Sequence, residues 1–232
     1  MKIQLSCGEC MRSGNYDGVY LQEPNDDGFY RLKCNYGHET IVNLQEDKVK
    51  LLFEKGCFAI IDEYYRDAIV TFTSALEEFY RFFLEIVFIK NSISEEHVKS
   101  YKKSVDRSEQ EFGAFFSSWI LAFGACPKVL DSNLVKLRND VVHKGKMASY
   151  EDALKYGQEV FDILMSYTEM VENKYPEEIR KRFGAQVAKS PMFDSSRFQR
   201  TLHMGFVLNQ NSKGKKIIDL LPMIKQKYGA YK

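Results

Sequence analysis

The spacing of apolar residues changes near Asp47, from short separate runs to a repeat of three and four residues. Apolar residues with this repeat share one face of an α-helix. The repeat passes through aromatic and aliphatic positions, namely Ala59, Ile60, Tyr64, Ala68, Phe72, Ala75, Leu76, Phe79, Phe83 and Ile86. The pattern predicts a short helix followed by a long one, whose Tyr and Phe side chains belong to the core.

A second helical stretch is expected after this pair. Ser94 is a good N-cap, and the helical pattern runs from there into the aromatic segment FGAFFSSWILAFG. The stretch ends before Pro127, because proline cannot continue a helix.

A third helix is predicted for residues 128–143 and a fourth for residues 150–173. Ser149 is suited to cap the fourth helix, and Asp152, three residues further on, makes a partial capping box. Joined by short loops, these helices form an antiparallel bundle of about four or five helices. The predicted fold class is therefore mainly α.

The first 45 residues have a different texture. Short β-type runs at residues 19–21, 29–32 and 40–44 alternate with turns rich in Gly, Asn and Asp. Runs this short cannot make a stable core alone. They predict a small N-terminal β module that needs another source of stability.

Two pairs of metal-ligand residues lie in the turns of this module. Cys7 and Cys10 form a C-x2-C pair, and Cys34 and His38 form a C-x3-H pair, each with a glycine between its members. Two tight turns of this kind can converge on one tetrahedral Zn²⁺, which then contributes to folding. The spacing predicts a zinc ribbon whose ion is structural, since four protein ligands leave no open position. The alternative is two unrelated cysteine pairs, with His38 as a turn residue.

The other cysteines have a different setting. Cys57 and Cys126 lie in apolar helical contexts and are predicted to be small core residues, not ligands. Five cysteines, an odd number, favour reduced thiols and metal ligands over a complete disulfide framework. The N-terminus has no signal-peptide pattern, and no apolar run reaches about 18 residues. We expect a cytoplasmic protein with no membrane segment.

Charge is distributed unevenly along the 232 residues, although the formal net charge is only +1. From Lys174 to the end there are 13 Lys and Arg against 4 Asp and Glu, a net charge of +9, so the preceding 173 residues carry −8. A basic surface of this kind is typical of a polyanion contact, although a lysine-rich tail is also common as solvated surface.

Three parts are predicted along the chain: a zinc-ribbon-like module at residues 1–45, a helical bundle at 46–175, and a basic extension at 176–232. The extension begins with a charged helix candidate, EEIRKRFGAQVAK. Further on, an NSKGKK turn separates the apolar runs MGFVL and IIDLL. This pattern fits either a β-excursion plus a helix, or an arm that packs on a partner.

The third helix carries an arginine on its apolar side. At about 100° per residue, Arg138 falls within the face formed by Leu134, Leu137, Val141 and Val142. An unpaired charge there would cost on the order of several kcal/mol, so the guanidinium must be paired or must line an opening.

His143 follows on the same helix, about 140° from Arg138. The two side chains therefore meet only through the length of the arginine, at a helix end, or across two copies of the chain. Gly145 is a natural stop, which predicts that the helix ends near His143.

The run Arg138-Asn139-Asp140-Val141-Val142-His143 resembles the R-x4-6-H motif of the HEPN superfamily, including the polar residue directly after the arginine. The continuation, KGK and then SYEDALKYGQEVFDIL, is similar to the end of that domain. The resemblance covers about residues 46 to 175. It implies an antiparallel HEPN-type helical bundle that commonly forms a homodimer, with two copies of the motif in one cleft.

Many HEPN proteins are metal-independent ribonucleases of toxin–antitoxin, abortive-infection or other anti-phage systems. The resemblance therefore implies an endoribonuclease that cleaves RNA by attack of the 2′-hydroxyl, leaving a 2′,3′-cyclic phosphate. No metal is implied in catalysis, so Zn²⁺ is expected only in the ribbon. An antitoxin or another defence-system protein is the implied protein partner.

The residue types suit this chemistry independently. Arg138 suits bidentate stabilisation of a phosphate, histidine at position 143 suits acid–base work near neutral pH, and Asn139 suits orientation of either group. Lys144 and Lys146 are placed to attract the RNA backbone.

A non-catalytic alternative remains for the same helix. Arg138 would pair with a glutamate of the long helix, such as Glu77 or Glu78, and His143 would only be stabilised by the helix dipole. The bundle would then be a dimeric binding module for RNA, a nucleotide or a protein partner.

Overall fold

The computed structural model describes residues 2–15, 19–44, 47–105, 107–188, 198–201 and 207–229. Within these ranges the chain is mainly helical with a small β part near the N-terminus, as predicted. The described residues form two compact units. Unit 1 comprises those between 2 and 47 and between 183 and 201, and unit 2 those between 48 and 182 and between 207 and 229.

Unit 1 contains two small sheets, and the first is two-stranded. Strand β1 (Ile3–Ser6) pairs antiparallel with β2 (Val19–Gln22). A five-residue helix, α1 (Gly8–Arg12), follows directly after Cys7. The sequence predicted β2 but neither β1 nor α1, since elements of four and five residues are too short to show a period.

The second sheet has three strands in the order β3, β4, β5. Strands β3 (Phe29–Lys33) and β4 (Glu39–Leu44) pair antiparallel, which confirms the two predicted runs. Strand β5 (Phe198–Thr201) pairs parallel with β4. The sheet thus includes four residues of the basic extension.

Helix α3 is the central element of unit 2. It extends over Tyr65–Lys90 and packs against α2 (Lys48–Ile61), α5 (Ser108–Phe123), α6 (Ser132–His143) and α7 (Tyr150–Lys174). The predicted short helix and long helix are confirmed as α2 and α3. The predicted aromatic core is confirmed for Phe72, Phe79 and Phe83 of the repeat, which are buried. It is wrong for Tyr64, which lies just before α3 and is exposed.

Two glycines let α2 and α7 approach α3 closely. Gly56 and Gly157 both face the ring of Phe72. A Cβ atom would lie 2.5 Å from the ring if added to Gly56 and 2.6 Å from it if added to Gly157. The side chain of Phe72 therefore occupies space that any larger residue at either position would need.

The predicted second stretch consists of two helices. Helix α4 (Glu95–Ser104) begins after Ser94, whose side chain accepts a hydrogen bond from the His97 N–H, so the predicted N-cap is confirmed. Helix α5 ends at Gly124, which adopts a left-handed backbone with φ of 70°. The core position predicted for Cys126 is wrong: α5 stops before it, and the residue is exposed. Cys57 is buried, as predicted.

The helix that carries the motif and the helix that follows it are both capped by polar residues. Helix α6 begins at Ser132, later than the predicted residue 128, because the Asp131 side chain accepts a hydrogen bond of 2.8 Å from the Asn133 N–H. The capping box predicted for α7 is confirmed, since Ser149 and Asp152 each accept from the other's backbone N–H.

The basic extension contributes two helices. Helix α8 (Pro176–Ala188) confirms the charged helix candidate, whose last residue, Lys189, lies outside the described residues. Helix α9 (Ile217–Gly229) packs against α2 and α7. This helix covers the apolar run IIDLL, but β5 precedes the run MGFVL, of which residues 204–206 lie outside the described part and Val207 and Leu208 form a bend instead of a strand. None of the described helices combines the length and the apolarity needed to cross a membrane.

Candidate metal centre and candidate active site

The four predicted metal ligands converge in unit 1. The ligand atoms of Cys7, Cys10, Cys34 and His38 all lie within 4.8 Å of one another. The sulphurs of Cys10 and Cys34 are 3.7 Å apart, and His38 Nδ1 is 3.4 Å and 3.3 Å from them. Two thiolates on one tetrahedral Zn²⁺, at about 2.3 Å from the ion, would be about 3.8 Å apart. The cluster therefore has the geometry to bind a metal ion.

Backbone turns set the position of these ligands. Cys7 precedes α1 and Cys10 lies within it. In the turn between β3 and β4, the Cys34 N–H donates to the His38 carbonyl at 2.9 Å. Gly37 has a φ of 83°, a left-handed conformation that glycine adopts without strain. The turn consequently brings Cys34 and His38 to the same side.

The cluster lowers the pKa of two of its thiols, Cys7 and Cys34. Burial opposes ionisation of Cys34, but the backbone N–H groups of His38 and Tyr36 donate to its sulphur and help to lower its pKa to about 6. The thiolate is the form of cysteine that binds metals. Thr40 Oγ1 also lies 3.6 Å from Cys7 Sγ, a contact that the spacing of the ligands gives no reason to expect.

In unit 2, Arg138 is held by two hydrogen bonds. Its Nη2 donates to Glu77 Oε1 at 3.2 Å, and its Nη1 donates to Asn139 Oδ1 at 2.9 Å. The Arg138 side chain is only 23% exposed. The arginine therefore has the ion-pair partner that its place on the apolar side requires, and this partner is Glu77 on α3.

Arg138 and Asn139 line a cavity of about 420 Å³ in unit 2. Pockets of this size commonly bind small molecules. The other lining residues come from α3, α5, α7, α6 itself and the segment that leads into it: Thr73, Leu76, Glu77, Tyr80, Ser108, Glu109, Phe112, Val129, Leu130, Val135 and Tyr156. Sequence reasoning missed the wall from α5, since the pattern there indicated only an aromatic core face.

Glu77, the carboxylate at the cavity wall, has a raised pKa. Burial raises the pKa of Glu77, while Arg138 and Arg81 act in the opposite direction. Glu111 adds to the increase. Arg81 is itself paired with Glu78 at 3.0 Å and with Glu111 at 2.9 Å. Glu77 consequently binds a proton at higher pH than an ordinary glutamate.

His143 lies apart from this cavity within one chain. It is the last residue of α6, as predicted, and it is exposed. It is not one of the described residues that line the cavity. The structure thus brings Arg138 and Asn139 together but leaves His143 at the helix end.

The two lysines predicted to contact RNA follow α6 directly. Lys144 pairs with Asp140 at 2.6 Å, and Lys146 pairs with Asp152 at 3.5 Å. Both lysines are exposed. Ion pairs this exposed are weak, and they leave the ammonium groups accessible to a phosphate.

The comparisons with known proteins found no match: no family model, no curated protein and no solved structure matches the chain. The HEPN resemblance is therefore carried by the residues on α6 and after it.

Proposed function

We propose that this protein is a dimeric, metal-independent endoribonuclease of the HEPN type, with Arg138, Asn139 and His143 as its catalytic residues. The observation that carries this proposal is the setting of Arg138. Its guanidinium is largely withdrawn from solvent, fixed by Glu77 and Asn139, and borders a cavity of about 420 Å³. A cation fixed in such a site stabilises charge on a transition state more strongly than one in water.

The proposed reaction cleaves RNA without a metal. The 2′ oxygen attacks the neighbouring phosphorus while the bond to the 5′ oxygen breaks, so one group must accept a proton and another must donate one. Arg138 stabilises the negative charge of the phosphorane, and Asn139 orients the guanidinium through its 2.9 Å hydrogen bond. His143 serves as the acid or the base in one of these two proton transfers. The products are a 2′,3′-cyclic phosphate and a 5′-hydroxyl.

A second copy of the chain is part of this proposal. His143 lies about 140° around α6 from Arg138, so it does not share the cavity of its own chain. His143 is exposed at the end of α6, before the left-handed backbone of Gly145, and this exposure leaves it accessible to another molecule. In a two-fold dimer, His143 of one copy would act on RNA held by Arg138 of the other.

The metal-ligand cluster has a separate role in this account. Cys7, Cys10, Cys34 and His38 would hold a structural Zn²⁺, since four protein ligands complete its tetrahedral coordination. The ion would stabilise unit 1, whose sheets are too small to be stable alone. It would take no part in RNA cleavage.

The HEPN resemblance also suggests a biological role. We propose a cytoplasmic toxin or anti-phage effector, with an antitoxin or another defence-system protein as its partner. Lys144 and Lys146, together with the basic C-terminal extension, would attract RNA through its phosphates.

A second candidate function is a non-catalytic dimeric module that binds RNA, a nucleotide or a protein partner. The ion pair between Arg138 and Glu77 favours it, because it satisfies the guanidinium within its own chain. It also places a carboxylate beside the position that a phosphate would take.

RNA cleavage by the wild type, Arg138→Ala and His143→Ala decides between the two. Matched controls are Arg66→Ala and His97→Ala, which remove an exposed arginine of α3 and an exposed histidine of α4. The nuclease proposal predicts a loss of at least about 100-fold in the first two variants and no change in the controls. Cleavage that survives both substitutions overturns it. A dimer that binds RNA but cleaves none of a broad panel supports the binding module.

A further inference from the structure

We propose that Glu77 is the general base of the cavity, accepting the proton of the 2′-hydroxyl while Arg138 of the same chain stabilises the phosphorane. This inference rests on the proposed ribonuclease function. It assigns a catalytic role to a residue outside the R-x4-6-H motif. His143 of a second copy is then the acid that protonates the leaving 5′ oxygen.

The position of Glu77 meets the first requirement of a base, which is access to the reacting atoms. Its carboxylate lines the same cavity as Arg138. Oxygen Oε1 accepts the hydrogen bond from Arg138 Nη2 at 3.2 Å. Oxygen Oε2 has no hydrogen-bond partner among the residues that the structure describes. One oxygen is thus fixed by the arginine, and the other is available to a substrate hydroxyl.

The surroundings of Glu77 meet the second requirement, a proton affinity suited to the task. The Glu77 side chain is 22% exposed, and burial raises its pKa. A carboxylate with a raised pKa is a stronger base at neutral pH than an ordinary one. The charged and titratable groups around it are Arg138 from α6, Arg81, Glu78 and Tyr80 from α3, Glu109 and Glu111 from α5, and Tyr156 from α7.

Glu78, the next residue on α3, shows that an ion pair with an arginine is not enough to make a glutamate the general base. Glu78 also pairs with an arginine, Arg81, at 3.0 Å. It points about 100° away from Glu77 around the helix, and it is not one of the described residues that line the cavity. Glu78 is therefore a matched control for Glu77: the same side chain, on the same helix, with the same kind of partner.

The proposed step is balanced in atoms and charge. A bond forms between the 2′ oxygen and phosphorus as the 2′ proton passes to Oε2 of Glu77. The bond from phosphorus to the 5′ oxygen breaks, and this oxygen takes a proton from the imidazolium of His143 of the second copy. Afterwards the carboxyl group gives its proton to water and the imidazole regains one, so no further reactant is needed.

The first test measures RNA cleavage by Glu77→Gln and Glu78→Gln across pH. Glutamine keeps an oxygen that accepts from Arg138, so a purely structural role would be largely preserved. We expect kcat/KM to fall by at least about 100-fold in Glu77→Gln, with RNA binding retained and the acidic limb of the pH–rate profile lost. Glu78→Gln should match the wild type in rate and in profile.

The outcomes separate this inference from the function on which it rests. If Glu77→Gln cleaves as the wild type does while Arg138→Ala and His143→Ala are inactive, Glu77 is not the base and the nuclease proposal stands. If the wild type cleaves no RNA, the nuclease proposal fails and the role of Glu77 fails with it. A lost rate with an unchanged pH profile also overturns the role as a base, because it shows only a structural effect.

The second test mixes inactive chains. Because Glu77 and Arg138 are paired within one chain, they belong to one half of the site, and His143 belongs to the other. An equal mixture of Glu77→Gln and His143→Ala chains should recover about one quarter of wild-type activity, since half of the dimers are mixed and each has one complete site. A mixture of Glu77→Gln and Arg138→Ala should recover none. Recovery in the second mixture, or none in the first, contradicts this arrangement.

Discussion

Arg138 and His143 are five residues apart on one helix, yet their side chains have different surroundings. The Arg138 guanidinium is bonded to Glu77 at a cavity wall, whereas His143 ends α6 and is exposed. A helix turns by about 140° over five residues, so one straight helix does not bring both groups to one phosphate. A second copy of the chain is therefore a requirement of the proposed site.

The ion pair between Arg138 and Glu77 should stabilise unit 2. Arg138→Met and Glu77→Met should each lower the free energy of unfolding by about 1–3 kcal/mol, because each leaves a partly buried polar group without its partner. The double variant should lose less than the sum, with a coupling of about 0.5–2 kcal/mol. Urea unfolding followed by the fluorescence of Trp119, the only tryptophan, measures these values. If the losses of the two single variants add fully in the double variant, Arg138 and Glu77 do not stabilise each other.

The close packing around Phe72 predicts a large effect of one methyl group. Gly157→Ala should destabilise unit 2 by about 1–3 kcal/mol, because its Cβ would lie 2.6 Å from the Phe72 ring. Gly113→Ala on α5 is the control: an added Cβ meets nothing within 4 Å there, and alanine favours a helix by up to about 1 kcal/mol. Thermal unfolding of both variants compares them. Equal effects of the two substitutions would show that the contact with Phe72 is absent.

A half-buried carboxylate on α3 predicts how stability depends on pH. Burial raises the pKa of Glu85, but hydrogen bonds of 2.8 Å from both Lys102 and Arg182 outweigh it and lower the pKa below its ordinary value of 4.5. A lowered pKa in the folded state stabilises the fold above the ordinary pKa, and this contribution is lost as pH falls through the folded value. Glu85→Gln should therefore cost more stability at pH 7 than at pH 3.

Urea unfolding of the wild type and Glu85→Gln at the two pH values measures this difference. Glu95→Gln is a suitable control, because Glu95 is exposed and its surface ion pair with Lys99, at 3.9 Å, is long and weak. A cost for Glu85→Gln that is the same at both pH values would show that its ionisation does not stabilise the fold.

The metal-ligand cluster predicts about one zinc ion per chain. Cys10→Ser should remove most of the bound metal and lower the stability of unit 1, because the hydroxyl is a far weaker ligand than a thiolate. Cys126→Ser is the control, since Cys126 is an exposed cysteine outside the cluster. Elemental analysis of the purified proteins gives the metal content. Equal zinc in wild type and Cys10→Ser would rule out this site.

Elements with a local signal could be predicted from the sequence. The apolar repeat of α3, the cap at Ser94 and the capping box at Ser149 each depend on neighbouring residues, and all three are present. Strand β5 could not be predicted, because its pairing with β4 joins residues far apart in the chain. The error at Cys126 has a local cause: its apolar neighbours suggested a core helix, but Gly124, a glycine stop, ends α5 two residues earlier.

The candidate sites were predictable to different degrees. The C-x2-C and C-x3-H pairs directly predicted the four residues that the structure brings together. The position of Arg138 on an apolar face showed that it needed a partner, and Glu77 and Glu78 were both candidates. Only the fold selects Glu77, because adjacent residues on α3 point about 100° apart. The cavity wall formed by Phe112 depends on how α5 packs, which no local pattern shows.

An end-group analysis of RNA fragments made by the wild type in excess EDTA tests whether the protein cleaves RNA without a metal, with Trp119 fluorescence recorded in parallel to confirm folding. We predict cleavage that leaves 2′,3′-cyclic phosphate and 5′-hydroxyl ends, and none from Arg138→Ala. Cleavage that stops in EDTA while unit 2 stays folded, or fragments with 5′-phosphate and 3′-hydroxyl ends, would contradict a metal-independent attack by the 2′-hydroxyl.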